Sequence, residues 1–186
     1  MSVSMRTYPS REEWLKARNS RIGGSDAGAI MGLNPYMSNV DLWEIKTGKK
    51  KKPDLSDNKF VQFGHDAEPL MRELFKLDFP EIKVHYMDNN MWVNDEYPFA
   101  HASLDGWLTC EEGNGILEIK TVNIMNGQQL RQWNKRIPDI YYCQIRHYSI
   151  ERKNCEGDIE ALADAERKFM WNIDNGVKPD LILPQI

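Results

Sequence analysis

The chain has 186 residues, 41% of them hydrophobic and 28% charged, which excludes a disordered or fibrous protein and fits one domain, residues 1–186, with a core between at least two layers. A net charge of -4 excludes gripping nucleic acid by an overall field, so any phosphate contact must be local. No run approaches the ~18 apolar residues of a membrane span, and residues 1–14 have no apolar signal core, so a cytoplasmic protein without membrane association is expected. Cys110, Cys143 and Cys155 lack CxxC or Cys/His spacing, which points to reduced structural thiols rather than a disulfide framework, zinc or iron–sulfur site.

In chain order, Ser10 and Glu13 form a capping-box pattern before a helix in REEWLKAR that ends near Asn19. Ser25 or Asp26 can cap a short helix, AGAIM, closed by Gly32, and Ser38 can cap another, NVDLWEIKT, closed by Gly48. The four lysines 49–52 read as a solvated loop. Phe60, Phe63, Ala67, Leu70 and Leu74 recur at helical spacing and predict an amphipathic helix over 59–77, with Glu68 beside its apolar stripe.

From Ile82 to Val122 the runs IKVHYM, MWV, FAHASLDGWL and ILEIKTV predict a meander of antiparallel strands. Helical character returns in QQLRQWNK, in DIYYCQIRHYSI after Pro138, and in DIEALADAERKFMWNIDN, stopped by Gly176. The expected architecture is α+β, a small central mixed or antiparallel sheet flanked by helices.

Alternation in ILEIKTV puts Glu118 and Lys120 on one face and Leu117, Ile119 and Thr121 on the other. A carboxylate and an amine within an apolar strand are costly to bury unless paired with each other or a ligand. From this strand alone, a solvent face that happens to carry Glu and Lys is an equal reading. The preceding SLDG adds Asp105, which a hairpin turning at Gly113 to Gly115 would bring beside Glu118. Two carboxylates converging near a lysine suit magnesium-assisted phosphodiester cleavage, because Mg²⁺ takes hard oxygen ligands and keeps positions for water and phosphate.

Asp105 followed by Glu118-Ile119-Lys120 resembles the PD-(D/E)xK nuclease superfamily, with Leu104 where the proline of the name would stand. The flanking blocks are similar to the YqaJ-type viral recombinase family, which includes the phage lambda exonuclease. They are Trp14 to Arg18, IGGSDA from Ile22, LNPY from Leu33, LWEIKTG from Leu42, GHDAEP from Gly64, SLDG, LEIKT, and YYCQIRHY from Tyr141. The blocks occur in family order over roughly residues 10 to 150.

The resemblance implies a restriction-endonuclease-like core and a 5′ to 3′ exonuclease on linear double-stranded DNA, using Mg²⁺ with Mn²⁺ as a substitute. It implies metal binding by Glu68, Asp105, Glu118 and the carbonyl of Ile119, catalysis by Lys120 supported by Gln144, and contact of DNA and its 5′-phosphate by Arg18, Ser25 and Tyr141. It also implies DNA ends and a phage single-strand annealing protein as partners, a toroidal homotrimer, and work in phage-type recombination in the host cytoplasm. One departure stands out: HYSI runs almost directly into ERKNCEGDIEAL, as though a terminal strand or strand pair after Gln144 were missing. A DNA-end binder that lost turnover with that segment is therefore the competing expectation. An iron–sulfur exonuclease on the same core is disfavoured, since three scattered cysteines cannot supply four ligands.

Overall fold

A computed structural model describes residues 3–149 and 156–183. In chain order, β1 (Val3–Thr7), α1 (Arg11–Asn19), β2 (Ile22–Gly23), α2 (Gly24–Ile30), α3 (Asn39–Lys46) and α4 (Lys59–Asp78) come first. The strands β3 (Lys83–His85), β4 (Asn90–Asn94), β5 (Ala100–His101), β6 (Gly106–Cys110) and β7 (Gly113–Leu117) follow. Helices α5 (Gly127–Trp133), α6 (Asp139–Ser149) and α7 (Glu156–Asp174) complete an α+β chain. The shortened connection inferred after HYSI, and Cys155 within it, lie outside the described residues.

The chain is organised as two units, Met1–Lys52 with Asn89–Ser103 and Lys135–Ile186, and Pro53–Asp88 with Leu104–Asn134. In the first unit, the amide of Glu13 donates to the Ser10 hydroxyl oxygen at 3.2 Å and starts α1 where the capping pattern placed it. Ser38 accepts from the Asp41 amide at 3.1 Å and starts α3 in the same way. Gly32 and Gly48 close α2 and α3 at φ of 70° and 73°, a left-handed conformation that costs a glycine little.

The start of α2 differs from expectation. Neither Ser25 nor Asp26 is its cap residue; the helix begins at Gly24, and the Asp26 carboxylate reaches back to accept the Gly23 amide at 3.0 Å. That start exposes a small-residue face to α6. A Cβ on Gly24 would stand 2.5 Å from Tyr148 Cε1, and one on Gly28 would stand 2.8 Å from Ile140 Cγ1. The glycines thus let the two backbones approach, and α6 carries Tyr141 and Gln144.

Around this pair lie two apolar clusters. Ile22, Ala29, Ile30, Leu42, Trp43 and Phe169 form one, and Ala27, Cys143, Ile159, Leu162 and Ala163 the other. Removing a side chain as large and buried as Trp43 (2% exposed) would cost about 3–5 kcal/mol.

Among the described residues, the expected single sheet is instead three small ladders. β4 pairs antiparallel with β1, from Val3 opposite Asn94 to Thr7 opposite Asn90, and β5 pairs parallel with β2. The middle of the expected meander therefore takes most of its partners from N-terminal segments, while Trp92 and Ala102 keep one antiparallel bridge of that meander, exchanging backbone bonds of 2.7 and 3.0 Å. The third ladder, β3-β6-β7, is antiparallel and belongs to the second unit.

In that unit, the Asn58 side chain accepts from the amides of Phe60 and Val61 and starts α4 close to its expected boundary. The burial of its stripe is not as expected. Phe60, Phe63, Leu70 and Leu74 are 61%, 65%, 69% and 49% exposed, while Ala67 and Arg72 are the buried residues of the helix. The hairpin turns at Glu111 and Glu112, so Gly113 to Gly115 lie in β7 rather than in the turn. Gly115 faces Leu108, whose Cβ would be 3.3 Å from a Cβ built there, which explains a glycine inside the strand.

Candidate metal centre

The β6–β7 ladder ends with Gly106 opposite Leu117, so Asp105 and Glu118 lie just beyond it on adjacent chains. Strand structure in ILEIKTV stops at Leu117, and residues 118–122 continue outside the ladder. The reason is local. The backbone amide of Ile119 donates to Asp105 Oδ2 at 2.7 Å, so a side-chain carboxylate takes the place of the next carbonyl across the hairpin. Asp105 is held from its main chain as well, because Arg72 Nη1 on α4 donates to its carbonyl oxygen at 3.1 Å.

Glu118 has a side chain only 10% exposed, and its Oε1 accepts from the Lys120 ammonium. Burial, and then the negative charge of Asp105, push its carboxyl up to about 7 against the opposing pull of Lys120. Glu68, half-buried on α4, is also raised, first by burial and then by Asp105, while His65, Arg72 and Lys120 draw it down. Three carboxylates and one lysine therefore share an electrostatic neighbourhood. Glu118, Ile119 and Lys120 line a groove of about 500 Å³ with Phe63, Met71 and Leu74.

The chemistry of the donors fits a hard divalent cation, which would offset both the burial of Glu68 and Glu118 and the repulsion that Asp105 adds. Among the described residues, however, no three His, Cys, Asp or Glu side chains stand close enough together to hold one ion. One oxygen of each hairpin carboxylate is engaged within the protein, Asp105 Oδ2 by the Ile119 amide and Glu118 Oε1 by Lys120.

The other sequence-derived site residues belong to the first unit. Arg18, in the last turn of α1, has its guanidinium 4.4 Å from the centre of the Trp14 ring. Ser25 is exposed on α2. Gln144 donates from Nε2 to the Tyr148 hydroxyl at 2.6 Å, and Tyr141 is half-buried on the same helix.

The chain matches the YqaJ-like viral recombinase domain over residues 13–150. The chain belongs to the YqaJ-like viral recombinase family. It is also similar to the uncharacterized protein YqaJ of Bacillus subtilis (strain 168), at 34% identity over 140 residues. That match covers 75% of this chain and 41% of the relative, so the chain spans about two-fifths of the curated relative's length. No solved structure matches the chain. Among the described residues, no helix of this YqaJ-like chain is long and apolar enough to cross a membrane.

Several polar groups of the YqaJ-like domain have partners that sequence reasoning did not name. Asp26 pairs with Lys46 at 2.8 Å; burial alone would raise its carboxyl, but Lys46 and the Gly23 amide hold it below the usual range. His147 Nδ1 and Glu166 Oε1 are 2.7 Å apart at almost zero exposure, and His147 Nε2 donates to the His101 carbonyl at 2.9 Å. His101 is pushed down to about 3 by burial and then by the positive charge of Arg18, so it is a neutral imidazole. Asp26 was readable as a cap candidate, and Glu166 by its place: it falls in helical register with Ile159, Leu162, Ala163 and Phe169, on the apolar face of α7.

Proposed function

We propose that this chain is a magnesium-dependent DNA nuclease, a 5′ to 3′ exonuclease on linear double-stranded DNA with a restriction-endonuclease-like core. The observation that carries the reading is the meeting of Asp105 and Glu118 at the open end of the β6–β7 hairpin, beside Lys120, with Glu118 raised to about 7. Glu68, Asp105, Glu118 and the Ile119 carbonyl would hold Mg²⁺, with Mn²⁺ as a substitute. When bound, the metal supplies a Lewis acid for the phosphate and lowers the pKa of a water. Lys120 would then leave Glu118 to orient that water or to neutralise developing charge. Arg18 and Ser25 are assigned to the 5′-phosphate, and Tyr141 and Gln144 to support of the DNA strand. The assembly and partner that accompany this reading are a homotrimer and a phage single-strand annealing protein.

A second reading, a DNA-end binder without turnover, is favoured by two observations: Lys120 closes on Glu118, and no three candidate ligands converge among the described residues. One experiment separates the two. Wild-type protein with linear 5′-phosphorylated duplex and Mg²⁺ should release nucleotides, EDTA should stop release, and Lys120→Ala should reduce it at least about 100-fold. Binding without metal-dependent release would reject the nuclease in favour of the binder. In the same assay Arg18→Ala should slow attack on phosphorylated ends far more than on hydroxyl ends; equal slowing would remove Arg18 from its assigned role.

A further inference from the structure

Beside Asp105, on the other flank of Arg72, the second unit holds a groove of about 690 Å³ between α4 and the β3 edge. Its lining includes Arg72, Lys76, His85, Tyr86 and Trp107. Two stacked pairs shape it. The Arg72 guanidinium lies 3.7 Å from the centre of the Tyr86 ring, and the His85 and Trp107 rings stack at 5.6 Å with only 14° between their planes. Register explains the second pair, since His85 on β3 stands directly opposite Trp107 on β6, and the His85 Nε2 to Thr109 Oγ1 contact of 2.9 Å fixes the imidazole.

Tyr86 remains 41% exposed, and its hydroxyl is turned to Asp88 at 2.9 Å rather than into a core. The lining carries two permanent cations against one carboxylate: Arg72 is 9% exposed, and the exposed Lys76 pairs with Glu73 at 2.7 Å, a surface pair that leaves the ammonium further donors for a phosphate. Planar rings for bases and cations for phosphates are the combination that holds single-stranded nucleic acid without regard to sequence. A connection to the acidic cluster runs through Arg72, which touches the Tyr86 ring and the Asp105 carbonyl at once. Trp107 provides a second connection, two residues after Asp105.

We propose that the Arg72, Lys76, His85, Tyr86 and Trp107 groove binds single-stranded DNA by base stacking and delivers or retains that strand beside Asp105. The inference rests on the nuclease reading for its meaning, but its binding step needs no metal. A fluorescein-labelled oligothymidylate, titrated with the full chain in EDTA at low salt and followed by anisotropy, is the probe. Tyr86→Ala and Lys76→Glu should each weaken binding at least about fivefold, as loss of one stacking ring or one phosphate contact does. Tyr86→Phe, which keeps the ring, should bind like wild type, and Phe60→Ala, an exposed aromatic outside the groove lining, should change nothing. Thermal melts matching wild type show that the variants fold.

Failure of the two readings is distinguishable. Oligonucleotide binding that depends on Tyr86, without Mg²⁺-dependent release from duplex ends, leaves the groove standing and removes the nuclease. Nucleotide release with oligonucleotide binding absent, or insensitive to Tyr86→Ala and Lys76→Glu, overturns the groove and returns that surface to a protein partner.

Discussion

Replacing Glu118 by Gln removes a carboxyl that folding makes hard to ionise, and the structure sets the size of the effect. In the folded chain the group sits at about 7 against a reference of 4.5, because burial and Asp105 oppose its charge more than Lys120 favours it. At about 1.36 kcal/mol per pH unit the displacement corresponds to about 3 kcal/mol. With a side chain 10% exposed, solvent screening removes little, so a net of about 2–3 kcal/mol is expected. The folded state binds the proton more tightly than the unfolded state, so this stability is fully present below pH 4.5 and is lost as pH rises through about 7. Glu118→Gln has no such loss. At pH 8 its Tm should exceed that of wild type by about 4–12 °C, a gap that closes toward pH 4.5, where both chains carry a neutral side chain. The assay is a pH series of thermal melts for both proteins, since every other titrating group is common to them. Mg²⁺ adds a second arm: it should raise the wild-type Tm at pH 8 and leave Glu118→Gln nearly unmoved. A Tm difference independent of pH would refute the assigned burial of charge, and equal Mg²⁺ responses would remove Glu118 from the metal site.

Two further expectations concern the first unit. Gly24→Ala should lower Tm by several degrees, because its Cβ meets the fixed Tyr148 ring at 2.5 Å and overpacking costs about 1–3 kcal/mol. Gly127→Ala in the second unit, with nothing within 4 Å, is the control and should leave Tm level or slightly higher. Glu166→Ala should cost about 3–5 kcal/mol by leaving His147 buried without its carboxylate. Burial alone would lower His147, but Glu166 raises it, so the pair's contribution is complete below pH 6.5 and is lost as pH rises through the raised value. The Tm difference from wild type should accordingly narrow above pH 6.5; a difference that widens there would reject a charged pair.

Local rules accounted for much of the helical structure. Ser10, Ser38, Gly32, Gly48 and Gly176 each act within a few residues of their own position, so capping chemistry is legible without the fold. The candidate site was legible for a related reason, because Asp105, Glu118 and Lys120 belong to one hairpin and its exit. The turn was misplaced by two residues, since Gly115 is required by the approach of Leu108 across the strands and not by a bend. Strand pairing was the larger miss. Alternation marks a strand but does not name its partner, and apart from the Trp92–Ala102 bridge β4 and β5 pair with β1 and β2, far back in the chain.

From the sequence alone came the family, the capped helices, and the carboxylates and lysine that a nuclease would use, all properties of residue type and short spacing. Tertiary structure decided what those groups experience. It ends β7 at Leu117 so that Asp105 can take the Ile119 amide, and it buries Glu118 enough to raise it to about 7. It leaves Phe60 and Phe63 of α4 exposed and buries Arg72, His147 and Glu166. Burial and charge proximity are sums over neighbours distant in sequence, and no short window of the chain contains them.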